Sequence, residues 1–263
     1  YTLKLLIEEF GLKCLAVTVD NGFLSKLAIE NGNRITDKLG VDYLINKPSN
    51  SFMLNMYNKS VKDEKIHSKA SIKRASSICN SCINLINNIM IKIALEKNIP
   101  MIAGGYIGGQ VPKDSALLML DLNQLKSTKE SSKNLYKEKF GKTSDRYFSF
   151  ESRLFNNYSF KKIAILNPML TQSLNEDEII QAIKLLGWKK PSDTGLNSSN
   201  CKLNDLGIYI HYNKYGFNPY ILEITEQVRY GLLTKDEAMK KINAIPKIAQ
   251  IYNLANDIKV DIK

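Results

Sequence analysis

Three of the four cysteines have the spacing of a metal-binding or thiol-reactive site. Cys79 and Cys82 are separated by two residues, and Cys201 follows far downstream in a Ser/Asn-rich segment. A close thiol pair with a distant third is typical of metal or cluster ligation. A secreted disulfide framework fits poorly, because the chain has only 4 cysteines in 263 residues. The sequence therefore predicts that Cys79, Cys82 and Cys201 bind a metal ion or a cluster.

The number of ligands leaves the identity of the bound group open. Structural zinc takes four protein ligands, and His67 or His211, the two histidines of the chain, could supply the fourth. Two other interpretations of Cys79 and Cys82 stay open, namely a redox pair at a helix start and two small core residues. Cys14 lies in an apolar run, which predicts a core position.

Two apolar runs end in segments that suit a nucleotide. The first, 14–19, leads into an acidic residue, which can bind a ribose or a purine edge when it stands at a strand tip. The second, 100–103, leads into a glycine-rich turn whose backbone amides could approach a phosphate closely. Neither segment matches a Walker loop or a dinucleotide fingerprint. The predicted nucleotide-binding residues are Asp20, Asn21, Gly22, Phe23, Gly104 and Gly105.

The elements around these residues alternate between helix and strand. Helical periodicity over 2–10, 25–39 and 82–97 is interleaved with the short apolar runs 14–19, 43–46 and 100–103. This alternation predicts parallel βαβ units, and hence an α/β fold with a doubly wound, mostly parallel, Rossmann-like sheet. Such sheets bind ligands beyond the carboxyl ends of their strands.

The second half of the chain breaks this pattern. Residues from about 114 to 160 are polar and weakly periodic, which predicts an insertion or an exposed helix. Asn175 and Thr234 each precede a glutamate by three residues, as in a capping box at a helix start. We predict a nucleotide-binding domain over 1–170 and a mostly helical C-terminal region over 171–263 that carries Cys201.

Composition sets limits on location and partners. The formal net charge of +11 admits a nucleic-acid partner, but the excess is dispersed lysine. No secretory signal is visible, and the apolar runs 14–19 and 99–103 are too short to span a bilayer. We therefore expect a soluble cytoplasmic protein with reduced thiols and no membrane partner.

The order of the segments resembles the adenine nucleotide alpha-hydrolase superfamily, the PP-loop ATP pyrophosphatases. The segment 2–10 is similar to the first helix of that superfamily, and 14–20 is similar to its second strand, which ends in an acidic residue. The Ser-Gly-Gly-Lys-Asp-Ser loop that precedes this helix in the superfamily is absent, since the chain begins at Tyr1 and looks truncated. Cys79-Asn80-Ser81-Cys82, the helix after it and 102–105 resemble tRNA 2-thiocytidine synthetase-type sulfurtransferases.

This resemblance implies a HUP-type fold and an ATP- and Mg²⁺-dependent enzyme that adenylates a carbonyl or amide oxygen and inserts sulfur. It also implies a [4Fe-4S] cluster on Cys79, Cys82 and Cys201, with one iron left open. The implied partners are a small-molecule or tRNA substrate and a sulfur-donor protein, and the chain could form a homodimer. It assigns no catalytic residue.

Two alternative functions stay open. The first is a zinc-containing amidotransferase or ligase of the same superfamily, in which Zn²⁺ replaces the cluster and His211 could join the thiols. The second is a non-catalytic nucleotide- or RNA-binding domain.

Overall fold

The structure is a computed structural model that describes residues 1–244 and 246–262. The chain is α/β and divides into two compact units. Its strands and helices are, in chain order, α1 (Thr2–Glu8), β1 (Leu15–Val19), α2 (Lys26–Leu39), β2 (Asp42–Asn46), α3 (Asn50–Lys62), α4 (Lys69–Ile72), α5 (Ser77–Glu96), β3 (Met101–Ala103), β4 (Leu117–Asp121), α6 (Leu122–Phe140), α7 (Asp145–Phe148), α8 (Ser152–Asn156), β5 (Lys162–Leu166), α9 (Glu176–Lys184), α10 (Leu203–Tyr215), α11 (Ile221–Arg229), α12 (Lys235–Ile242) and α13 (Ile248–Asp257).

The first unit combines the two ends of the chain, residues 1–80 and 173–263. Strands β1 and β2 pair in parallel, with Val19 opposite Asn46 at their carboxyl ends. Helix α2 connects them and ends at Gly40, whose left-handed backbone (φ 64°) glycine adopts at little cost. The core of this unit is apolar and contains the fully buried side chains of Phe52, Met53, Met56, Tyr57, Leu203, Leu206 and Ile251.

The second unit spans residues 81–172 and contains a three-stranded sheet in the order β3-β5-β4. Strands β3 and β5 are parallel, whereas β4 runs antiparallel to β5. The sheet and its helices enclose an apolar core formed by Ile91, Leu95, Leu125, Phe155, Tyr158 and Ile163. Lys92 and Lys129 each lie over the Phe150 ring at the edge of this core, 5.2 and 5.4 Å from its centroid.

The predicted α/β class is confirmed, and several local predictions hold. Both capping boxes form, at Asn175 and at Thr234. The polar stretch after 114 is largely the helix α6, whose first turn is capped by Asp121. The described strands form a two-stranded parallel sheet and a three-stranded mixed sheet, so the single doubly wound sheet stays a prediction. The compact units group residues 173–263 with 1–80, and the predicted domains 1–170 and 171–263 stay a prediction.

Helix α5 qualifies the expectation that no apolar stretch is long enough to cross a membrane. By length and composition alone its 20 residues could do so, and about half of its most apolar stretch is buried inside the molecule. The core helix of a globular protein has the same properties. Its buried side chains include Ile78, Leu85 and Ile89.

Candidate functional site

The loop after β1 is fixed by its own side chains. The Asp20 backbone N–H donates to the Asn46 carbonyl at 2.8 Å, which joins the tips of β1 and β2. The Asp20 carboxylate accepts the Gly22 N–H at 3.0 Å and lies 3.2 Å from the Lys47 ammonium. Asn21 is buried and its Oδ1 accepts the Phe23 N–H at 2.9 Å. We call Asp20–Phe23 the β1 tip.

Cys201 lies against this same tip, although 180 residues separate it from Asn21 in sequence. The Asn21 amide Nδ2 donates to the Cys201 Sγ at 3.4 Å. The backbones also pair, because Leu24 and Cys201 form an antiparallel bridge and the Lys202 N–H donates to the Phe23 carbonyl at 3.0 Å. Two features predicted separately, a nucleotide-binding strand tip and a metal-ligand thiol, therefore meet in the first unit.

Helix α10 begins two residues after Cys201, and its first turn lies beside Cys79. Asn204 in the first turn of α10 places its Nδ2 3.8 Å from the Cys79 Sγ and 2.5 Å from the Tyr220 hydroxyl. That hydroxyl lies 3.6 Å from the Cys79 Sγ. A Cβ at Gly207 would lie 2.6 Å from the Ser76 Oγ, so a glycine at this position lets the start of α5 approach α10.

The polar groups around Cys79 have defined roles. The Cys79 N–H donates to the Ser76 Oγ at 3.2 Å. Burial, and then the nearby Cys79 sulfur, raise the pKa of the Tyr220 hydroxyl well above its ordinary value. Tyr220 therefore stays protonated at neutral pH and can donate a hydrogen bond to the sulfur. The Oδ1 of the buried Asn204 has no hydrogen-bond partner.

The other two cysteines are Cys82, on α5, and Cys14, just before β1. Cys82 follows Cys79 by about one turn of α5 and belongs to the second unit. Cys14 precedes β1 and is half-buried, whereas the sequence predicted a core position. Its Sγ donates to the Leu12 carbonyl at 3.7 Å. Burial raises the pKa of the Cys14 thiol. None of the four cysteines, all of which lie within the described residues, forms a disulfide.

A preformed metal centre is not part of this geometry. Across residues 1–244 and 246–262, no three His, Cys, Asp or Glu side chains are grouped so that they could hold a metal ion. The predicted ligation by Cys79, Cys82 and Cys201 therefore stays a prediction.

The glycine turn after β3 is shaped by local packing. The Gly104 N–H donates to the Leu166 carbonyl at 2.8 Å, at the carboxyl ends of β3 and β5. A Cβ at Gly104 would lie 2.6 Å from the Asn167 Oδ1 and 3.2 Å from the Tyr106 ring. Gly105 is exposed. Asn167 is 4% exposed, its Nδ2 donates to the Ser115 carbonyl, and its Oδ1 has no partner.

The two histidines line one cleft of the first unit. His67 and His211 both line a small cleft in the first unit that has room for about one water molecule. His211 lies on α10 about two turns beyond Asn204, and it packs against Tyr215 and Phe217 with ring centroids 4.7 and 4.8 Å apart. Burial lowers the pKa of His211 to about 4, so its imidazole is neutral at pH 7.

Asn204 and Tyr220 were missed by sequence reasoning, and so was Asn167. Each is a neutral side chain in a segment without a motif, and it gains importance only from what the fold places beside it. The one usable signal was the position of Asn204 three residues after Cys201, which places both near the start of one helix.

Comparison with curated proteins finds a relative whose name states no activity. The chain is similar to the uncharacterized protein MJ1599 of Methanocaldococcus jannaschii, with 29% identity over 252 residues that cover 95% of this chain and 70% of that protein. No family model matches the chain. No solved structure matches it either.

Proposed function

We propose that the chain is an ATP-dependent adenylating enzyme of the PP-loop type that activates a carbonyl or amide oxygen and inserts sulfur. One observation carries this proposal, namely the contact between the Asn21 amide and the Cys201 Sγ at 3.4 Å. It joins the strand tip expected to bind the nucleotide to a thiol expected to take part in sulfur chemistry.

The position of the β1 tip supports nucleotide binding. The tip stands at the carboxyl ends of two parallel strands, where α/β sheets bind their ligands. Asp20 offers a carboxylate, and the Lys47 ammonium beside it, which is largely exposed, offers a positive charge for phosphate. The Phe23 side chain packs edge-on against Tyr57 in the core, so we assign it a structural role.

The proposed reaction has two steps. A substrate oxygen attacks the α-phosphorus of ATP and pyrophosphate leaves, with Mg²⁺ neutralising its charge. The oxygen, now bonded to AMP, is a good leaving group, so a sulfur nucleophile from a donor forms a bond to carbon and releases AMP. Cys201 and Cys79 are the residues we propose to guide that sulfur, because Cys201 contacts Asn21 in the β1 tip and Asn204, three residues after Cys201, lies beside Cys79.

The metal group takes no part in these steps. A [4Fe-4S] cluster, or Zn²⁺ as the alternative, would supply an open coordination position or a structural anchor at Cys79, Cys82 and Cys201. Because the described side chains do not form a preformed metal group, we derive no step through it.

The proposal also covers the type of sheet, the cellular location, the substrate and the partner. We also propose the doubly wound, mostly parallel sheet that PP-loop enzymes carry, and the parallel pairs β1–β2 and β3–β5 support it. We also propose a cytoplasmic location, a small-molecule or tRNA substrate, and a sulfur-donor protein as partner.

Sulfur transfer is tested by thionucleoside formation. The full chain is incubated anaerobically with Mg·ATP, sulfide and unmodified tRNA, and thionucleosides are measured by mass spectrometry. We expect product that requires ATP, is lost in Cys79→Ser and Cys201→Ser, and persists in Cys14→Ser, whose thiol is elsewhere. Product with ammonia instead of sulfide would favour the zinc amidotransferase, and absence of product with both would contradict transfer to tRNA.

Nucleotide binding is tested separately by calorimetric titration with Mg·ATP. We expect Asn21→Ala to weaken binding about tenfold, because it removes the side-chain hydrogen bonds to the Cys201 Sγ and from the Phe23 N–H that fix the β1 tip. Asn33→Ala, on the exposed face of α2, is the matched control and should bind like the wild type. Binding without turnover in the tRNA assay would support a non-catalytic domain, and absence of binding would overturn the proposed function.

A further inference from the structure

The cleft that contains both histidines carries a second inference, independent of the thiols. Its lining comes from four parts of the first unit, namely the end of α3 with the turn after it, α4, the start of α5, and α10. The residues with side chains that can bind a metal are Asp63, Glu64, His67 and His211.

His211 is the unusual member of this group. It is 2% exposed, and neither ring nitrogen has a hydrogen-bond partner. A buried polar group without a partner costs about 1–3 kcal/mol, so such groups in folded proteins commonly mark a bound water or ion. A neutral imidazole in a cleft with room for about one small sphere is the form of histidine that binds metals.

The other potential ligands lie on a short, adjustable segment. Asp63 and Glu64 are exposed, at the start of a single 3₁₀ turn that His67 follows. The Asp63 Oδ1 accepts the Lys65 N–H at 2.9 Å, and the Glu64 carboxylate pairs with the Lys214 ammonium at 2.8 Å. Both carboxylates are at the surface, so a small rotation of their side chains costs little.

We propose that this cleft binds one divalent transition-metal ion, with His211 as the fixed ligand, His67 as the second, and Asp63 or Glu64 completing the shell with water. Imidazole and carboxylate ligands favour zinc, cobalt or nickel over calcium and magnesium. No three potential ligands already converge within the described residues, so the proposal includes a movement of the exposed segment 63–67 toward α10 when the ion binds. The site uses no cysteine, and it takes His67 and His211, which the sequence offered as a fourth ligand for the thiol centre, as ligands of a separate ion.

Cobalt(II) binding tests the site, because its absorption spectrum distinguishes thiolate from imidazole ligands. The protein is the full chain carrying Cys79→Ser, Cys82→Ser and Cys201→Ser, which removes the predicted thiol ligands. We expect one equivalent of cobalt to bind with d–d absorption and without a thiolate charge-transfer band. In the same background, His67→Ala and His211→Phe should each weaken binding at least tenfold.

Two variants keep the test independent of folding. His67 is half-buried on a surface turn, so the metal-free His67→Ala protein should still unfold cooperatively on heating, and its weaker cobalt binding then reports a lost ligand. Glu8→Gln removes a carboxylate on α1, outside the cleft, and should bind cobalt as the parent does. Cobalt that binds only while the three thiols are present, or that binds equally well without His67, would overturn the proposal.

Discussion

The β1 tip and the glycine turn after β3 arise from the same sequence pattern but are held in different ways. Each is a short apolar strand followed by a glycine-bearing turn at the carboxyl end of a parallel pair. The β1 tip is held from far away in sequence, through Asn21 and Cys201. The turn after β3 is held by close packing of Gly104 against Asn167.

This difference shows that the side chains packed against a strand tip from elsewhere in the sequence decide whether the tip is a candidate site. The contact with Cys201 adds a thiol to the β1 tip, whereas Asn167 fills the space beside Gly104. Predictions about the two units can therefore be made separately.

Acid should affect the first unit most, because it contains both histidines. The pKa of His211 is about 4 in the folded chain and near 6.5 when unfolded, so the unfolded state binds the proton more readily. Stability is then complete above pH 6.5 and is lost as the pH falls toward 4, by about 3 kcal/mol at pH 4.

Urea unfolding at pH 7 and pH 4 in metal-free buffer measures this loss. His211→Phe keeps an aromatic ring between Tyr215 and Phe217 but cannot titrate, so it should lose about 3 kcal/mol less than the wild type over this range. Equal losses in the two proteins would show that His211 does not control the acid response.

Gly104→Ala should be the most costly glycine substitution at either tip. The added Cβ would lie 2.6 Å from the buried Asn167 Oδ1, so the neighbours must move, at a cost of about 2 kcal/mol in the free energy of unfolding. A double-mutant cycle with Asn167→Ala tests the cause, since removing that oxygen should relieve the overlap. Strictly additive effects would be inconsistent with this account.

Gly22→Ala in the β1 tip should cost less, about 1 kcal/mol, and for another reason. Its backbone is left-handed (φ 83°), while an added Cβ would make only ordinary contact, 3.6 Å from the Asn50 Oδ1. Gly22→Asn is the matched variant, because asparagine tolerates this backbone better than alanine. Urea unfolding should rank Gly22→Asn above Gly22→Ala in stability, and the reverse order would argue against backbone strain.

The parts of the fold that depend on neighbouring residues could be predicted from sequence. The caps at Asn175 and Thr234 involve residues three apart, and β1 and α2 follow from short-range periodicity. The grouping of residues 173–263 with 1–80 could not be predicted, because no local pattern encodes it.

The site shows the same limit. The residue types at the β1 tip and at Cys201 could be selected from sequence, but their contact depends on the pairing of 23–25 with 200–202. Asn204 and Tyr220 became visible only once α10 was placed beside Cys79. Long-range contacts of neutral side chains leave no periodic or compositional signal in a single sequence.

Protection of individual cysteines by ATP tests the central claim most directly. The native chain is alkylated with iodoacetamide with and without Mg·ATP, and the rate at each cysteine is read from its peptide by mass spectrometry. If the nucleotide binds at the β1 tip beside Cys201, Mg·ATP should slow alkylation of Cys201 at least fivefold and leave Cys14 unchanged. An unchanged rate at Cys201, or equal slowing at Cys14, would contradict a shared nucleotide and thiol site.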